Sequence, residues 1–223
     1  METPSISHLT SEDLENVYEP AEDSFLLLDA LEKDLEYLRE ELKPKVCLEI
    51  GSGSGIIITS VAKYVQCLCL STDINAIACS VTKRTASENP PASVDTIQMN
   101  LVDGIRKNSV DLLLFNPPYV VTEDEELTSS KMSDGQEITS KNLVYTWAGG
   151  ENGRRVIDVL LNNLDDILAE GGVLYLLVLK ENKPKEIIEI VRKKGFHGEV
   201  FMERRIPGEY LYILKIVKKK LCK

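Results

Sequence analysis

The residues of this chain best suited to chemistry are Asn116, Pro117, Pro118 and Tyr119, which cut off an apolar run. Val110 to Phe115 (VDLLLF) has the length and continuous apolarity of a buried parallel strand; a prolyl peptide cannot extend it, so the strand stops at Asn116. Two successive prolines fix φ and lack N–H groups, leaving a stiff rim whose carbonyls are free to accept hydrogen bonds. Asn116 adds a side-chain carbonyl, so an entering –NH2 group would meet two acceptors while Tyr119 packs on its flat face. Alone, the four residues also suit an ordinary strand-end turn.

A second constellation lies earlier in the chain. Glu49-Ile50-Gly51-Ser52-Gly53-Ser54-Gly55 follows an apolar run and precedes an apolar helix. The spacing is G-x-G-x-G with a carboxylate ahead of it, not the G-x-G-x-x-G that faces a pyrophosphate on a helix N-terminus. Glu49 suits a cationic ligand or ribose hydroxyls, while Gly51, Ser52, Gly53 and Gly55 let backbone approach it closely. The next strand ends at Asp73, with Ile74 beside it, where an acid can take two ribose hydroxyls; a third ends at Asn100 and Leu101, placed to flank an adenine. Three strand ends on one sheet edge predict a site for S-adenosylmethionine, a ligand with ribose, adenine, amino acid and sulfonium.

The elements that must position these groups read as a repeating strand-helix pattern. Strands are predicted at 46–50, 67–72, 94–99, 110–115, 173–179, 197–204 and 209–217, and helices at 54–64, 75–86, 153–168 and 184–194. A helix stop is placed at Gly171-Gly172. Ahead of them Leu28, Leu31, Leu35, Leu38 and Leu42 form one face of a helix that ends near Lys43. The pattern predicts one α/β domain over 17–217: a Rossmann-like, mostly parallel seven-stranded sheet with an antiparallel C-terminal hairpin and helices on both faces. Residues 1–16 are polar and read as disordered; 218–223 read as a basic tail, and Lys218–Lys220, like Arg192–Lys194, as solvated surface.

With 26 basic and 36 acidic residues the chain as a whole repels phosphate backbones, which argues against duplex nucleic acid as its main partner. Five scattered cysteines without a C-x-x-C pair, and two distant histidines, give no metal pattern and suit a reducing compartment, cytosolic or nuclear. No apolar run approaches the ~18 residues of a membrane span.

E-I-G-S-G-S-G at 49–55, T-D-I-N at 72–75 and N-P-P-Y-V at 116–120 resemble class I methyltransferases of the HemK type. Y-E-P-A-E-D-S-F at 18–25 and W-A-G-G-E-N-G-R at 147–154 resemble, within that family, the eukaryotic glutamine methyltransferases of the translation release factor. The resemblance implies methyl transfer to the amide nitrogen of the Gly-Gly-Gln glutamine, a small zinc-binding activator subunit forming a heterodimer, and a second activity on histone lysine. It also places Ser24 near the cofactor's methionine end, Glu49, Gly51 and Asp73 on the cofactor, and Asn116, Pro117, Pro118 and Tyr119 around the substrate amide. Two departures stand out. Asn100 replaces the usual Asp, offering the adenine an acceptor without a charge, and Glu123 to Tyr145 is longer than in relatives and reads as a mobile loop over the site.

A carboxamide nitrogen is a weak nucleophile, so such a site works by pinning it in line with the sulfonium methyl, and no general base is needed before transfer. Asn-Pro-Pro-Tyr suits a planar amide and an adenine amine equally. Histone lysine, an exocyclic base amine and a non-catalytic cofactor-binding role are therefore the competing readings, separated by which acceptor gains a methyl.

Overall fold

The structure is a computed structural model that describes residues 1–122 and 149–220. Strands β1 (Val46–Ile50), β2 (Leu68–Asp73), β3 (Asp95–Gln98), β4 (Val110–Phe115), β5 (Leu168–Leu179), β6 (His197–Ile206) and β7 (Glu209–Val217) form one seven-stranded sheet in the order β3-β2-β1-β4-β5-β7-β6. The first five run parallel, and β7 pairs antiparallel with both β5 and β6. Strand order reverses beside β1, so the crevice outside the carboxyl ends of β1 and β4 is where such a sheet takes a ligand.

Alternation along the strands divides the core in two. Cys47, Leu112, Leu114, Tyr175, Leu177 and Ile213 face α2 (Glu22–Lys33) and α3 (Ile56–Tyr64); Leu48, Leu113, Phe115, Leu174, Leu176 and Leu214 face α5 (Arg155–Ile167) and α6 (Pro184–Lys193). Helix α4 (Ala76–Glu88) packs beside α3 and over β2 and β3.

Several expectations change. The leucine stripe does not form one straight helix: α2 ends at Lys33, and a π-helical turn over Tyr37–Leu42 closes with Lys43 N–H donating to the Leu38 carbonyl. Asp34, at the break, accepts from both the Tyr175 hydroxyl and the Lys215 ammonium, two β-sheet partners too far along the chain for helical periodicity to reveal. Strand β5 begins at Leu168, not Val173, because Leu168 pairs with Val110 ahead of a bulge, and Gly171 and Gly172 exchange backbone bonds with Lys218. The double glycine therefore marks an irregularity inside a strand rather than a helix stop.

Residues 1–16, read as disordered, lie along α4. Helix α1 (Ser11–Asn16) starts with a capping box between Thr10 and Asp13, Asp13 pairs with Arg84, and Ser5 and Asn89 exchange two hydrogen bonds. The segment's polar residues meet Arg84 on α4 and Asn89 at the helix end, while Leu9 packs on Ala78 and Val81. Nor is the start of the C-terminal tail simply solvated: Lys218 Nζ reaches Asn108 Oδ1 at 2.8 Å and the Leu168 carbonyl at 3.0 Å. Arg192 donates to the Gly198 carbonyl and Lys194 to that of Leu161.

Candidate active site

Asp23, in the first turn of α2, is the hub of the site. Its Oδ2 accepts from Asn116 Nδ2 at 3.0 Å and from the Tyr119 hydroxyl at 2.9 Å, while Oδ1 accepts from the Ser24 amide at 2.6 Å and the Ser24 hydroxyl at 3.2 Å. An ionised carboxylate only accepts, so Asn116 must turn its –NH2 toward Asp23 and its carbonyl the other way. That carbonyl, Asn116 Oδ1, is buried with no hydrogen-bond partner among the described residues. A buried acceptor left open is costly, and it marks the place where a ligand donor belongs. Burial and the Asp23 charge push the Tyr119 phenol up, and push that of neighbouring Tyr18 up to about 12, so both stay neutral donors.

The Asn-Pro-Pro-Tyr turn is braced from behind. Asn182, fully buried, donates through Nδ2 to the Tyr119 carbonyl at 2.8 Å and the Asn152 carbonyl at 2.9 Å, and its Oδ1 accepts from the Leu179 amide at 2.6 Å. Gly153, at φ +65°, lies so close that a Cβ there would meet the Tyr119 carbonyl oxygen at 1.9 Å. Beyond it, Gly149 N–H donates to the Val120 carbonyl at 2.7 Å and Gly150 N–H to Thr122 Oγ1 at 2.9 Å. The predicted loop at 123–145, and Trp147 and Ala148, lie outside the described residues.

On the same sheet edge stands the glycine loop. Gly51 and Gly53 take φ values of +67° and +50°, and a Cβ at either would meet nothing within 4 Å, so their front is open cradle. Gly55 and Ser52 serve the scaffold instead: a Cβ on Gly55 would press the Thr82 backbone at 2.7 Å, and Ser52 Oγ accepts from Thr82 Oγ1 at 2.8 Å. Glu49, 2 % exposed, accepts from Ile58 N–H through Oε2 at 3.0 Å, which leaves Oε1 for a ligand. Asp73 accepts from Gly53 N–H at 3.1 Å and Asn75 N–H at 2.9 Å, with lone pairs to spare for hydroxyls. Leu101 adopts φ +46° and its carbonyl accepts from Thr72 Oγ1, tying the ends of β2 and β3 together. Asn100 is exposed and donates to Asp103 Oδ2 at 3.3 Å, turning its carbonyl free, and Ile74 stands 63 % exposed beyond Asp73.

Comparison with known proteins places this geometry. A family model described as methyltransferase small domain matches residues 22–134. The chain is 39 % identical to the eRF1 methyltransferase catalytic subunit mtq2 of Schizosaccharomyces pombe, over 98 % of this chain and 96 % of that one. The chain belongs to the methyltransferase small domain family. It is also 39 % identical to the human Methyltransferase HEMK2, over 97 % of this chain and 96 % of the other. Among solved structures, the E. cuniculi Mtq2-Trm112 complex, which methylates the eRF1 termination factor, superposes with a TM-score of 0.66 at 31 % identity, over 92 % of this chain and 99 % of that one.

The methyl donor of this methyltransferase small domain is S-adenosylmethionine. The residues present fit it: an open glycine cradle, a buried carboxylate with one free oxygen, a second acid with unused lone pairs, and an orphaned amide carbonyl. Burial, with a smaller contribution from the Asp73 charge, pushes the Glu49 carboxyl well above its ordinary range, against the lowering effect of the Ile58 N–H. A carboxyl raised on folding contributes stability that is complete below its unfolded pKa and lost as pH rises through its folded pKa. Glu49→Gln is therefore expected to raise the unfolding temperature of the ligand-free protein at alkaline pH, with the gain shrinking toward pH 4. It should also weaken S-adenosylmethionine binding roughly tenfold or more, because an amide cannot ionise to meet the ligand's donors as a carboxyl can. Melting curves at three pH values and calorimetry check both, and a pH-independent difference in melting would refute the assignment.

Sequence reading had named Ser24 but passed over Asp23 beside it, because an acid in a helix's first turn already has a reason to be there. Asn182 and Gly153 were also missed. The signal for Gly153 was present in the quoted motif at 147–154; Asn182 gave none, being an asparagine before Lys183-Pro184 like many in turns.

Proposed function

We propose that this chain transfers the methyl group of S-adenosylmethionine to the side-chain amide nitrogen of the glutamine in the Gly-Gly-Gln motif of a translation release factor. The observation that carries the reading is the Asn116 carbonyl, turned away from Asp23, buried and without a partner. When bound, the cofactor supplies an electrophilic methyl on a sulfonium. Asn116 Oδ1 and a prolyl carbonyl accept the two amide protons and hold the nitrogen in line, and both acceptors favour the positive charge that grows on it. Tyr119, locked by Asp23, forms a neutral wall beside the amide. The similarity to eRF1 methyltransferases supports this acceptor.

Lysine in a basic histone tail is the second reading, and Glu209 favours it. Its carboxyl is pushed up by burial and by the charges of Asp23 and Glu181, so acid groups gather at the site's mouth. Peptide mass spectrometry of release factor and of histone incubated with this chain decides between them. A one-methyl gain on the Gly-Gly-Gln glutamine, absent with Asn116→Ala, supports the first; methylation confined to histone lysine overturns it.

The partner is proposed to be a small zinc-binding activator that adds to the sheet at β3. This strand is an edge, and Ile97, Ile74 and Ile77 leave 37 %, 63 % and 36 % of their surface exposed around it. Met99 N–H donates inward to the Asp73 carbonyl, so by alternation Thr96 and Gln98 turn theirs outward. Thr96→Pro is expected to leave the chain folded and reduce capture of the activator at least tenfold; undiminished capture would place the partner elsewhere. The thiols of Cys47, Cys67, Cys69 and Cys79 are free, which supports a reducing compartment, the cytosol or nucleus.

A further inference from the structure

At the opposite end of β1 and β2 from the glycine cradle, three cysteines gather. Cys47 in β1 is in register with Cys69 in β2, and Cys67 occupies the bend immediately before β2, its sulfur 3.6 Å from that of Cys69. Cys47 and Cys69 are 0 % and 2 % exposed, whereas Cys67 is partly open to solvent. Nothing in the methyl-transfer chemistry uses these thiols. Small apolar packing accounts for Cys79, whose sulfur donates to the Asp73 carbonyl, but not for two thiols 3.6 Å apart with a third in register beside them.

We propose that Cys67 and Cys69 form an oxidant-reactive thiol site, with Cys67 attacking a hydroperoxide and Cys69 resolving the product as a disulfide. The accessible sulfur is the one with Cys69 Sγ 3.6 Å away, and its thiol neighbours Cys47 and then Cys69 hold the Cys67 thiol below its ordinary range, against burial and the Asp111 charge. The Cys67 thiolate takes the distal peroxide oxygen; an S–O bond forms, the O–O bond breaks, and hydroxide or alkoxide leaves, giving a sulfenic acid. Cys69 then attacks the Cys67 sulfur; the S–S bond forms, the S–O bond breaks, and the Cys69 proton leaves with that oxygen as water. The peroxide is reduced by two electrons and the two thiols are oxidised by two, so a dithiol reductant restores the site. Closing 3.6 Å to a bond of about 2.05 Å requires a shift of about 1.5 Å, which the bend at Cys67, outside the strand ladder, can supply.

The test uses the full chain carrying Cys222→Ser, so that the last cysteine does not compete, and hydrogen peroxide as probe. Tryptic cleavage after Lys63 and Lys83 leaves Cys67, Cys69 and Cys79 in one peptide and Cys47 in the preceding one, so fragmentation must separate Cys79 from the pair. The expected result is loss of two hydrogens within the 64–83 peptide, mapped by fragmentation to Cys67 and Cys69 and reversed by dithiothreitol. Under native conditions iodoacetamide should label Cys67 at least tenfold faster than Cys69 or Cys47. In a Cys69→Ser chain, dimedone should trap a sulfenic acid at Cys67. If Cys69→Ser does not fold, Cys67→Ser must abolish the two-hydrogen loss. A Cys47–Cys67 cross-link, a sulfinic acid at Cys67 with Cys69 intact, or equal labelling of all three thiols would overturn the proposal.

Discussion

Asp23→Asn lowers methyl transfer by about 100-fold or more while the chain stays folded: this is the expected result at the position the site depends on most. Asp23 presents only acceptors, so the Asn116 amide has one orientation, with Nδ2 at 3.0 Å from Oδ2 and its carbonyl facing the ligand space. An asparagine at 23 carries a donor of its own. It can hold Asn116 in the reversed orientation, which turns an –NH2 toward the incoming –NH2 and replaces an attraction with a clash of donors. It also removes the charge-assisted bond to the Tyr119 hydroxyl. The loss should fall mainly on kcat, because Glu49 and Asp73, the carboxyls proposed to hold the cofactor, are untouched, and calorimetric affinity for S-adenosylmethionine should stay within about threefold. Helix α2 keeps Glu22 in its first turn, so stability should fall by no more than about 1 kcal/mol. Steady-state kinetics on a glutamine peptide check the first statement and thermal melting the second. A variant as fast as the parent would mean that Asn116 is oriented by something other than Asp23.

Gly153→Ala is expected to cost both stability and activity through the turn it packs against. The added methyl would sit 1.9 Å from the Tyr119 carbonyl oxygen and 2.4 Å from Asn182 Nδ2, on a backbone at φ +65° that L-residues avoid. The turn cannot yield, because Asn182 bonds the same carbonyl and the Leu179 amide from a fully buried position. Relief must break the Asn182 brace, leaving buried polar groups unpaired, at about 2–4 kcal/mol. The rate should drop at least about 100-fold as the rim beside Asn116 shifts. Gly51→Ala is the contrasting case: it also has a positive φ, but open space around it, so it should lose cofactor affinity more than packing. Urea unfolding and cofactor titration of the two variants separate the effects; equal stability losses would contradict the brace.

How much of this was legible beforehand depended on the range of the interaction. The strands themselves and the groups at the ends of β1, β2 and β4 follow from local apolar runs and from Gly, Asp, Asn and Pro at their termini, signals contained in a few residues, whereas the spatial order of the strands does not. What was not legible was each case in which a residue's meaning lies far along the chain. Asp34 breaks a regular leucine stripe for the sake of Tyr175 and Lys215; Ser5 and Asp13 order a polar segment against Asn89 and Arg84; Asp23 looks like a helix-start acid until Asn116 and Tyr119 are folded onto it. Ser52 and Gly55 show the reverse: the loop stands out in the sequence, but its side that faces Thr82 packs on the scaffold.

The two chain segments flanking residues 123–148 are stitched together at the rim, with Gly149 bonded to Val120 and Gly150 to Thr122, while Asn116 is fixed from elsewhere by Asp23 and its turn by Asn182. The intervening stretch is therefore inserted at a closed clasp, and loop-closure entropy grows only slowly with length. Because the two flanks are bonded to each other, and Asn116 and its turn are held by Asp23 and Asn182, a change in the length of the chain between the flanks need not move the atoms around Asn116.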